Sequence, residues 1–154
     1  MNIQKCQMEP FAVIGKEGST SDGPGFVGEL WSEATKCFCE VEALALKDEN
    51  GKPVGFWGAM SDMSRSFQPW EDGFSKGLYL AGVQCPLDAQ EPDGWVKWVI
   101  PAYEYLYVET ESKITFYEMI GYLKEREITL AGAVHDFICP VTGKNYQFFP
   151  IRKL

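Results

Sequence analysis

Gly58-Ala59-Met60-Ser61-Asp62 in the first half of the chain aligns with Gly132-Ala133-Val134-His135-Asp136 in the second, as a shared Gly-Ala-x-x-Asp. Each copy falls on the third element of the same predicted order, which is strand, helix, strand, strand. Further upstream, Glu9-Pro10-Phe11-Ala12 corresponds in the same way to Ile100-Pro101-Ala102-Tyr103. The sequence therefore predicts an α+β fold of internally duplicated βαββ units, two halves with pseudo-two-fold symmetry around a central ligand cleft.

Hydrophobic spacing and turn residues set the bounds of the predicted elements. The predicted strands cover residues 11–17, 54–61, 78–85, 98–109, 131–138 and 146–151. Apolar residues at three- and four-residue spacing predict a helix over 27–44. Thr115-Phe116-Tyr117-Glu118 is typical of a capping box and predicts the start of a second helix. The polar and aromatic segment 62–77 indicates a long loop with little regular structure.

Length and composition indicate one globular domain. A chain of 154 residues can bury a core of its own, so we expect a single domain over 1–154. Its repeat halves lie at about 8–86 and 95–154, joined by a connector at about 86–94. No apolar run approaches the roughly 20 residues of a membrane span, so no membrane partner is expected. An odd count of five cysteines without a framework spacing favours reduced thiols and a cytoplasmic location.

Charge and aromatic content restrict the class of ligand. The net charge of −8 gives no basic footprint for phosphates, so direct nucleic-acid binding is not expected. The negative net charge favours neutral or cationic small molecules through long-range electrostatic steering. The chain also contains five Trp, seven Tyr and ten Phe, enough to build both an aromatic core and an aromatic pocket.

Common catalytic and cofactor motifs are absent from the sequence. The lone histidine, His135, has no set of partners at zinc spacing, so no metal is expected. Gly23-Pro24-Gly25 lacks the lysine and hydroxyl of a nucleotide-binding loop, and no other motif implies a cofactor. A nucleophile pair of Cys139 with His135 is conceivable, but the spacing favours it no more than a buried thiol.

Asp136 and Trp70 are the strongest candidates for a binding site. Asp136 is placed mid-strand and shares its predicted face with Val134 and Ile138, where a carboxylate is costly unless paired or useful. The alternative is an Asp that faces solvent or closes the turn before Pro140. Trp70 lies outside any periodic element, which suits a lid over a cleft.

Four stretches, two of which contain the repeated Gly-Ala-x-x-Asp, carry a family resemblance that runs over nearly the whole chain. They are Phe-Trp-Gly-Ala-Met-Ser-Asp at 56–62, Gly-Leu-Tyr-Leu-Ala-Gly-Val at 77–83, Gly-Trp-Val-Lys-Trp-Val-Ile-Pro-Ala at 94–102 and Ala-Gly-Ala-Val-His-Asp-Phe at 131–137. In these residues the chain resembles the GyrI-like small-molecule-binding family. The run at 61–70 is similar to stand-alone members that carry no DNA-binding domain.

The resemblance implies a duplicated βαββ fold whose cleft holds a ligand. Many members of that family are effector domains of multidrug-responsive regulators, which bind bulky lipophilic cations in an aromatic cage with a buried acid. Some stand-alone members resemble hydrolases that open the cyclopropane rings of reactive natural products. The family acid is usually Glu in a Glu-x-Tyr pattern, whereas this chain reads Asp136-Phe137-Ile138, with a shorter acid and no tyrosine.

Three hypotheses of function remain open at this stage. The first is a module that binds a flat lipophilic molecule, cationic or neutral, for sequestration, sensing or detoxification. The second is a hydrolase in which Asp136 is the catalytic general acid–base. The third is a regulator of an unknown protein partner. The predicted ligand-binding residues are Trp57, Trp70, Trp98, Tyr105, His135 and Asp136.

Overall fold

Eight strands form one continuous antiparallel sheet in this computed structural model, which describes residues 1–154. The strands are β1 (Gln4–Met8), β2 (Phe11–Ser19), β3 (Phe56–Ser61), β4 (Leu78–Cys85), β5 (Val96–Ile100), β6 (Tyr103–Glu109), β7 (His135–Ile138) and β8 (Asn145–Lys153). The helices are α1 (Phe26–Lys36), a short α2 (Glu71–Phe74) and α3 (Ile114–Glu125). The α+β class predicted from the sequence is confirmed.

The order of strands across the sheet is β1-β6-β8-β7-β3-β4-β2-β5. If β1 is exchanged with β5, β2 with β6, β3 with β7 and β4 with β8, the order becomes the same list read from the other edge. The outermost strand at each edge pairs with a strand of the opposite half, since β1 lies beside β6 and β5 lies beside β2. The order suits the predicted pseudo-two-fold arrangement, and the internal duplication itself stays a prediction.

The two longer helices pack on the same face of the sheet. Phe26 and Ala34 of α1 join a core cluster with Tyr79 and other β4 residues. Met119 of α3 joins a second cluster that includes Val134 just before β7. The strands β3 and β7 meet at the centre of the sheet between these two clusters. The space over the central strands is therefore bounded by one helix from each half.

The opposite face of the sheet carries the largest aromatic cluster. Its members alternate along the strands with the residues that face the helices, as a period of two requires. The loop after β3 packs against this cluster through Met63 and Phe67. The buried members are Phe11, Val13, Trp57, Ala59, Leu78, Leu80, Trp98, Ile100, Tyr103, Tyr105 and Phe148.

The predicted strands need three corrections, of which the first is that the strand predicted over 131–138 covers only His135–Ile138. The segment Gln4–Met8 forms β1, although its polar residues gave no strand signal, because backbone pairing with β6 stabilises it. The strand predicted over 98–109 is two strands, β5 and β6, separated at Pro101 and Ala102. Proline lacks the N–H that a continuous ladder needs, which explains the break.

The predicted helix bounds need correction as well. The first helix ends at Lys36, and two 3-10 turns (Phe38–Glu40 and Glu42–Leu44) follow it. The capping box at residue 115 was wrong, since α3 begins at Ile114 with no side-chain cap on its first turn. The Thr115 hydroxyl instead accepts hydrogen bonds from the Glu111 and Ser112 amides, at 3.2 and 3.3 Å, and orders the preceding turn.

None of the helices combines the length and the apolar character that a membrane crossing would need.

Candidate functional site

Asp136 lies at the centre of the sheet, on the face that carries the helices. In β7 it is paired with Gly58 of β3 on one side and with Gln147 of β8 on the other. The side chain is partly buried and has no ion-pair partner among the salt bridges of residues 1–154. The structure therefore places a carboxylate without a counter-charge over the middle of the sheet.

Two side chains donate hydrogen bonds to this carboxylate, and a third holds one of the two in place. Tyr79 Oη donates to Asp136 Oδ2 at 2.9 Å, and Trp31 Nε1 donates to Tyr79 Oη at 3.0 Å. On the other oxygen, Gln147 Nε2 donates to Asp136 Oδ1 at 3.3 Å. Trp31 of α1 is thereby connected to the centre of the sheet through a continuous chain of hydrogen bonds.

Burial and hydrogen bonding act in opposite directions on the acid. Burial raises the pKa of Asp136, and the hydrogen bonds from Tyr79 and Gln147 offset part of that rise. The pKa of Tyr79 is raised well above its usual range, first by burial and then by the neighbouring Asp136 charge. Tyr79 therefore remains a protonated donor over the whole neutral range.

A glycine makes room for the tyrosine. A Cβ built on Gly58 would overlap with the hydroxyl of Tyr79 and lie 3.1 Å from Cβ of Asp136. Gly58 faces Ala81 of β4 and Asp136 of β7, so Tyr79 crosses over the glycine to reach the acid. The hydrogen bond between Tyr79 and Asp136 thus depends on the missing side chain at position 58.

Two cavities flank this chain of hydrogen bonds. The acidic cavity has a volume of about 340 Å³ and contains Asp136. Its lining residues are Met60, Pro69, Trp70, Phe74, Lys113, Phe116, Tyr117, Val134, Asp136 and Gln147. The apolar cavity measures about 320 Å³ and lies under α1, where Trp31, Phe56, Val83, Trp95 and Ile138 line it.

The wall of the acidic cavity is formed by α2 and the residues around it. Phe74 packs edge-to-face on Phe116 of α3, with ring centroids 5.1 Å apart. Asp72 and Phe74 have φ values of 51° and 66°, in the left-handed region that non-glycine residues rarely adopt. Phe74 thus closes the cavity from a strained turn, with its ring against α3.

Trp70 lies beside Phe74, but it is more than a lid. Its Nε1 donates to the backbone oxygen of Leu78 at 2.9 Å, and its ring lies against Gly77. Its ring also stacks on Phe26 at a centroid distance of 6.5 Å. Trp70 therefore also contributes to packing, because the loop side chain fills space between α1 and β4.

Of the six residues predicted to bind ligand, only Trp70 and Asp136 line the acidic cavity. The remaining four lie in or against the aromatic cluster on the opposite face, and none is more than 4% exposed; they are Trp57, Trp98, Tyr105 and His135. The structure does not bring these four to Asp136, because neighbouring residues of a strand point to opposite faces.

His135 is held as a neutral side chain in that opposite cluster. Its Nδ1 accepts a hydrogen bond from the Met60 amide at 3.0 Å. Complete burial lowers the pKa of His135 to about 3. Across residues 1–154, no group of three or more His, Cys, Asp or Glu side chains is arranged to hold a metal ion.

Sequence reasoning missed several residues of the site. Tyr79 and Gln147 reach Asp136 through the pairing of β3, β4, β7 and β8, and strand periodicity alone does not give that register. Phe74 belongs to a segment with no periodic pattern. The available signal was Gly58, since a glycine within a predicted strand indicates that another group approaches closely.

Comparison with known proteins gives a fold but no sequence family. No protein-family model matches the chain, and no curated protein matches it either. Among solved structures, SAV2435 bound to tetraphenylphosphonium is 13% identical, with a TM-score of 0.64 over 99% of this chain and 94% of that one. The chain shares its fold with this protein.

Two other solved structures have the same fold. A putative transcription regulation protein from Staphylococcus aureus is 15% identical, with a TM-score of 0.59 over 99% of both chains. EcmrR, in a complex with DNA, is 9% identical, with a TM-score of 0.66 over 99% of this chain and 58% of its own. These identities are low, so the likeness concerns the fold.

Proposed function

We propose that this protein binds a bulky lipophilic cation in the acidic cavity and acts as a GyrI-like effector-binding domain. The observation that carries the proposal is the partly buried carboxylate of Asp136, which faces an aromatic-walled cavity with no cationic partner. A buried charge is costly unless a counter-charge accompanies it. A cationic ligand supplies that counter-charge.

The walls of the acidic cavity suit a cation that is also lipophilic. Trp70, Phe74 and Phe116 provide aromatic surface beside the acid. Aromatic faces attract cations, with gains of about 2 kcal/mol or more where both groups are desolvated. Lys113 also lines the cavity and opposes cation binding, but its side chain is exposed to solvent, which screens its charge.

The fold comparison supports the same class of ligand. SAV2435 binds tetraphenylphosphonium, a bulky lipophilic cation, and has this fold along nearly its whole length. For our chain the physiological role would be sensing, sequestration or detoxification of such molecules. Direct DNA binding is not part of the proposal, because the net charge of −8 opposes it.

The proposal is tested by titration with tetraphenylphosphonium and with tetraphenylborate, which has the same shape and the opposite charge. We expect saturable quenching of tryptophan fluorescence by the phosphonium, because Trp70 lines the acidic cavity. Isothermal titration calorimetry gives the affinity independently of the fluorescence. Equal binding of both ions, or of neither, would contradict the proposal.

Phe74→Ala should weaken phosphonium binding about five- to tenfold, the value of one aromatic contact with a ligand. The Phe74 ring lines the cavity and packs on Phe116, while the residue itself is only half-buried. We therefore expect a smaller effect on the melting temperature than on affinity. Ile114→Ala is the matched control, since Ile114 is exposed on α3 and does not line the cavity. Unchanged affinity in Phe74→Ala would remove α2 from the site.

Phosphonium affinity should fall as the pH is lowered. The charge of tetraphenylphosphonium does not change with pH, so any dependence arises from the protein. Burial raises the pKa of Asp136 above the ordinary value of 3.8, and its protonated form offers no counter-charge. The decline should therefore begin at a higher pH than for an ordinary aspartate. A pH-independent affinity in the wild-type protein would mean that Asp136 does not face the ligand.

A further inference from the structure

We propose that Phe74 limits the length of the ligand, because its ring separates the acidic cavity from a second, aliphatic cavity along α3. This inference rests on the proposed function and names the class of cation. The preferred ligands are compact lipophilic cations such as tetraphenylphosphonium, whose apolar groups surround the charge. A cation with a long alkyl tail gains nothing from that tail in the wild-type protein.

The second cavity, which we call the α3 groove, has a volume of about 400 Å³. Its aliphatic lining consists of Ile120, Leu123, Ile128 and Leu130. Pro69, Trp70 and Phe74 line both the α3 groove and the acidic cavity, so these three residues lie between the two spaces. Of the two cavities, only the acidic one contains a carboxylate. The α3 groove therefore suits an apolar group and offers a cation no counter-charge.

Phe74 meets α3 at the boundary between the two cavities. Phe116 lines the acidic cavity, and Ile120, about one helical turn further along α3, lines the groove. The ring of Phe74 packs edge-to-face on Phe116, with 5.1 Å between the ring centroids. Trp70, by contrast, is held on the side of α1 and β4, where it stacks on Phe26. Phe74 is thus the shared residue that reaches α3.

The backbone of α2 places the Phe74 ring. Asp72 and Phe74 both lie in the left-handed region. The Glu71 amide donates to the Lys76 carbonyl oxygen at 2.7 Å and closes the turn that carries them. A strained backbone of this kind persists only where the surrounding contacts hold it. The ring is therefore part of a fixed turn, and it stays between the cavities when a ligand occupies one of them.

Alkyltriphenylphosphonium ions separate the contribution of the head from that of the tail. Methyl-, butyl- and hexyltriphenylphosphonium carry the same permanent charge and the same three rings, and they differ only in the length of one alkyl chain. Isothermal titration calorimetry gives the affinity of each ion. For the wild-type protein we expect nearly equal affinities, because a chain that Phe74 keeps out of the α3 groove stays in water.

Phe74→Ala should make the affinity depend on the length of the chain. The smaller side chain joins the two cavities, so each methylene that enters the α3 groove leaves water. We expect about a twofold gain per methylene, half the free energy of complete burial, and hence about a tenfold preference for the butyl over the methyl ion. The methyl ion should still bind this variant more weakly than the wild-type protein, since the contact with the ring is lost.

Two further variants assign the effect to the boundary between the cavities. Met60→Ala widens the acidic cavity at β3, away from the α3 groove, and should leave the affinities independent of chain length. In the double variant Phe74→Ala/Ile120→Gln the groove is polar beside the opening, so most of the gain per methylene should disappear. Thermal unfolding shows whether each variant folds. If Phe74→Ala does not, Phe74→Gly takes its place, because glycine adopts the positive φ of this position without strain.

The outcomes separate this inference from the proposed function. The same dependence on chain length in the wild-type and Phe74→Ala proteins, whether flat or rising, would overturn the role of Phe74. A rise in Met60→Ala as steep as in Phe74→Ala would overturn it as well. Saturable binding of the methyl ion would leave the proposed function intact in both cases. Failure of the wild-type protein to bind either methyltriphenylphosphonium or tetraphenylphosphonium would overturn both.

Discussion

Asp136→Asn should reduce the affinity for tetraphenylphosphonium by tenfold or more and leave the affinity for neutral triphenylphosphine oxide unchanged. A charge-assisted contact in a desolvated site contributes about 1.5–3 kcal/mol, which sets the size of the selective loss. Asparagine has the shape of aspartate, so the cavity is preserved. The Gln147 amide can rotate to accept from the new amide group, and the Tyr79 hydroxyl can still donate.

The change in stability caused by Asp136→Asn also has an expected direction. The pKa of Asp136 is raised on folding, so its contribution to stability is present below its unfolded pKa and is lost as the pH rises through its folded pKa. At neutral pH Asp136→Asn should be as stable as the wild-type protein, or more stable. At acidic pH this difference should shrink. Thermal unfolding at several pH values measures both effects.

Glu118→Gln is the control for long-range electrostatics. It removes one carboxylate from the exposed surface of α3, outside the acidic cavity. A similar loss of cation affinity in this variant would mean that net charge, not Asp136, attracts the ligand. Equal losses for cationic and neutral ligands in Asp136→Asn would indicate a structural role.

Under the hydrolase hypothesis, Asp136→Asn would lower turnover of a strained-ring substrate by about 10²-fold or more.

Gly58→Ala should destabilise the protein by about 2–4 kcal/mol, because a methyl group is forced into a packed core and the two hydrogen bonds of the Tyr79 hydroxyl are lost. The new Cβ overlaps with the Tyr79 hydroxyl, which is enclosed by the core and bonded to Trp31 and Asp136. Moving Tyr79 breaks both hydrogen bonds. Chemical denaturation gives the change in the free energy of unfolding.

A matched glycine separates this clash from the general effect of replacing glycine. A Cβ at Gly121 of α3 meets nothing within 4 Å. Gly121→Ala should stabilise the protein by about 0.5–1 kcal/mol, since alanine is the better helix former. If Gly58→Ala were as stable as the wild-type protein, Tyr79 would not be fixed over position 58, and the geometry around Asp136 would have to be revised.

Particular residues show what the sequence could and could not predict. Alternation along one strand was enough to place Asp136 on an apolar face and, by the same rule, to separate it from His135. His135 and Trp57 were grouped with Asp136 because the chain is rich in aromatic residues. A high aromatic content does not show which rings lie near one another, and these two lie on the opposite face of the sheet. Gln147 and Tyr79 required the pairing of strands that lie far apart in the chain, and local patterns carry no such information.

The fold class could be predicted from the sequence more readily than the site could. The order of strands and helices appears in hydrophobic spacing, which acts over a few residues. The position of Phe74 depends on a strained turn and on packing against α3. Neither has a periodic signal, so the wall of the acidic cavity became visible only in three dimensions.

The exchange of edge strands has a consequence for how the chain folds during synthesis. Tyr107 of β6 bonds to Gln4 of β1 across a separation of 103 residues. β1 therefore stays without its partner until β6 has been made. Pairings of such long range slow folding, because loop closure must precede the contact that rewards it. β1 is thus made well before it is paired, and the sheet reaches its full width only after β6 and β8 have been made.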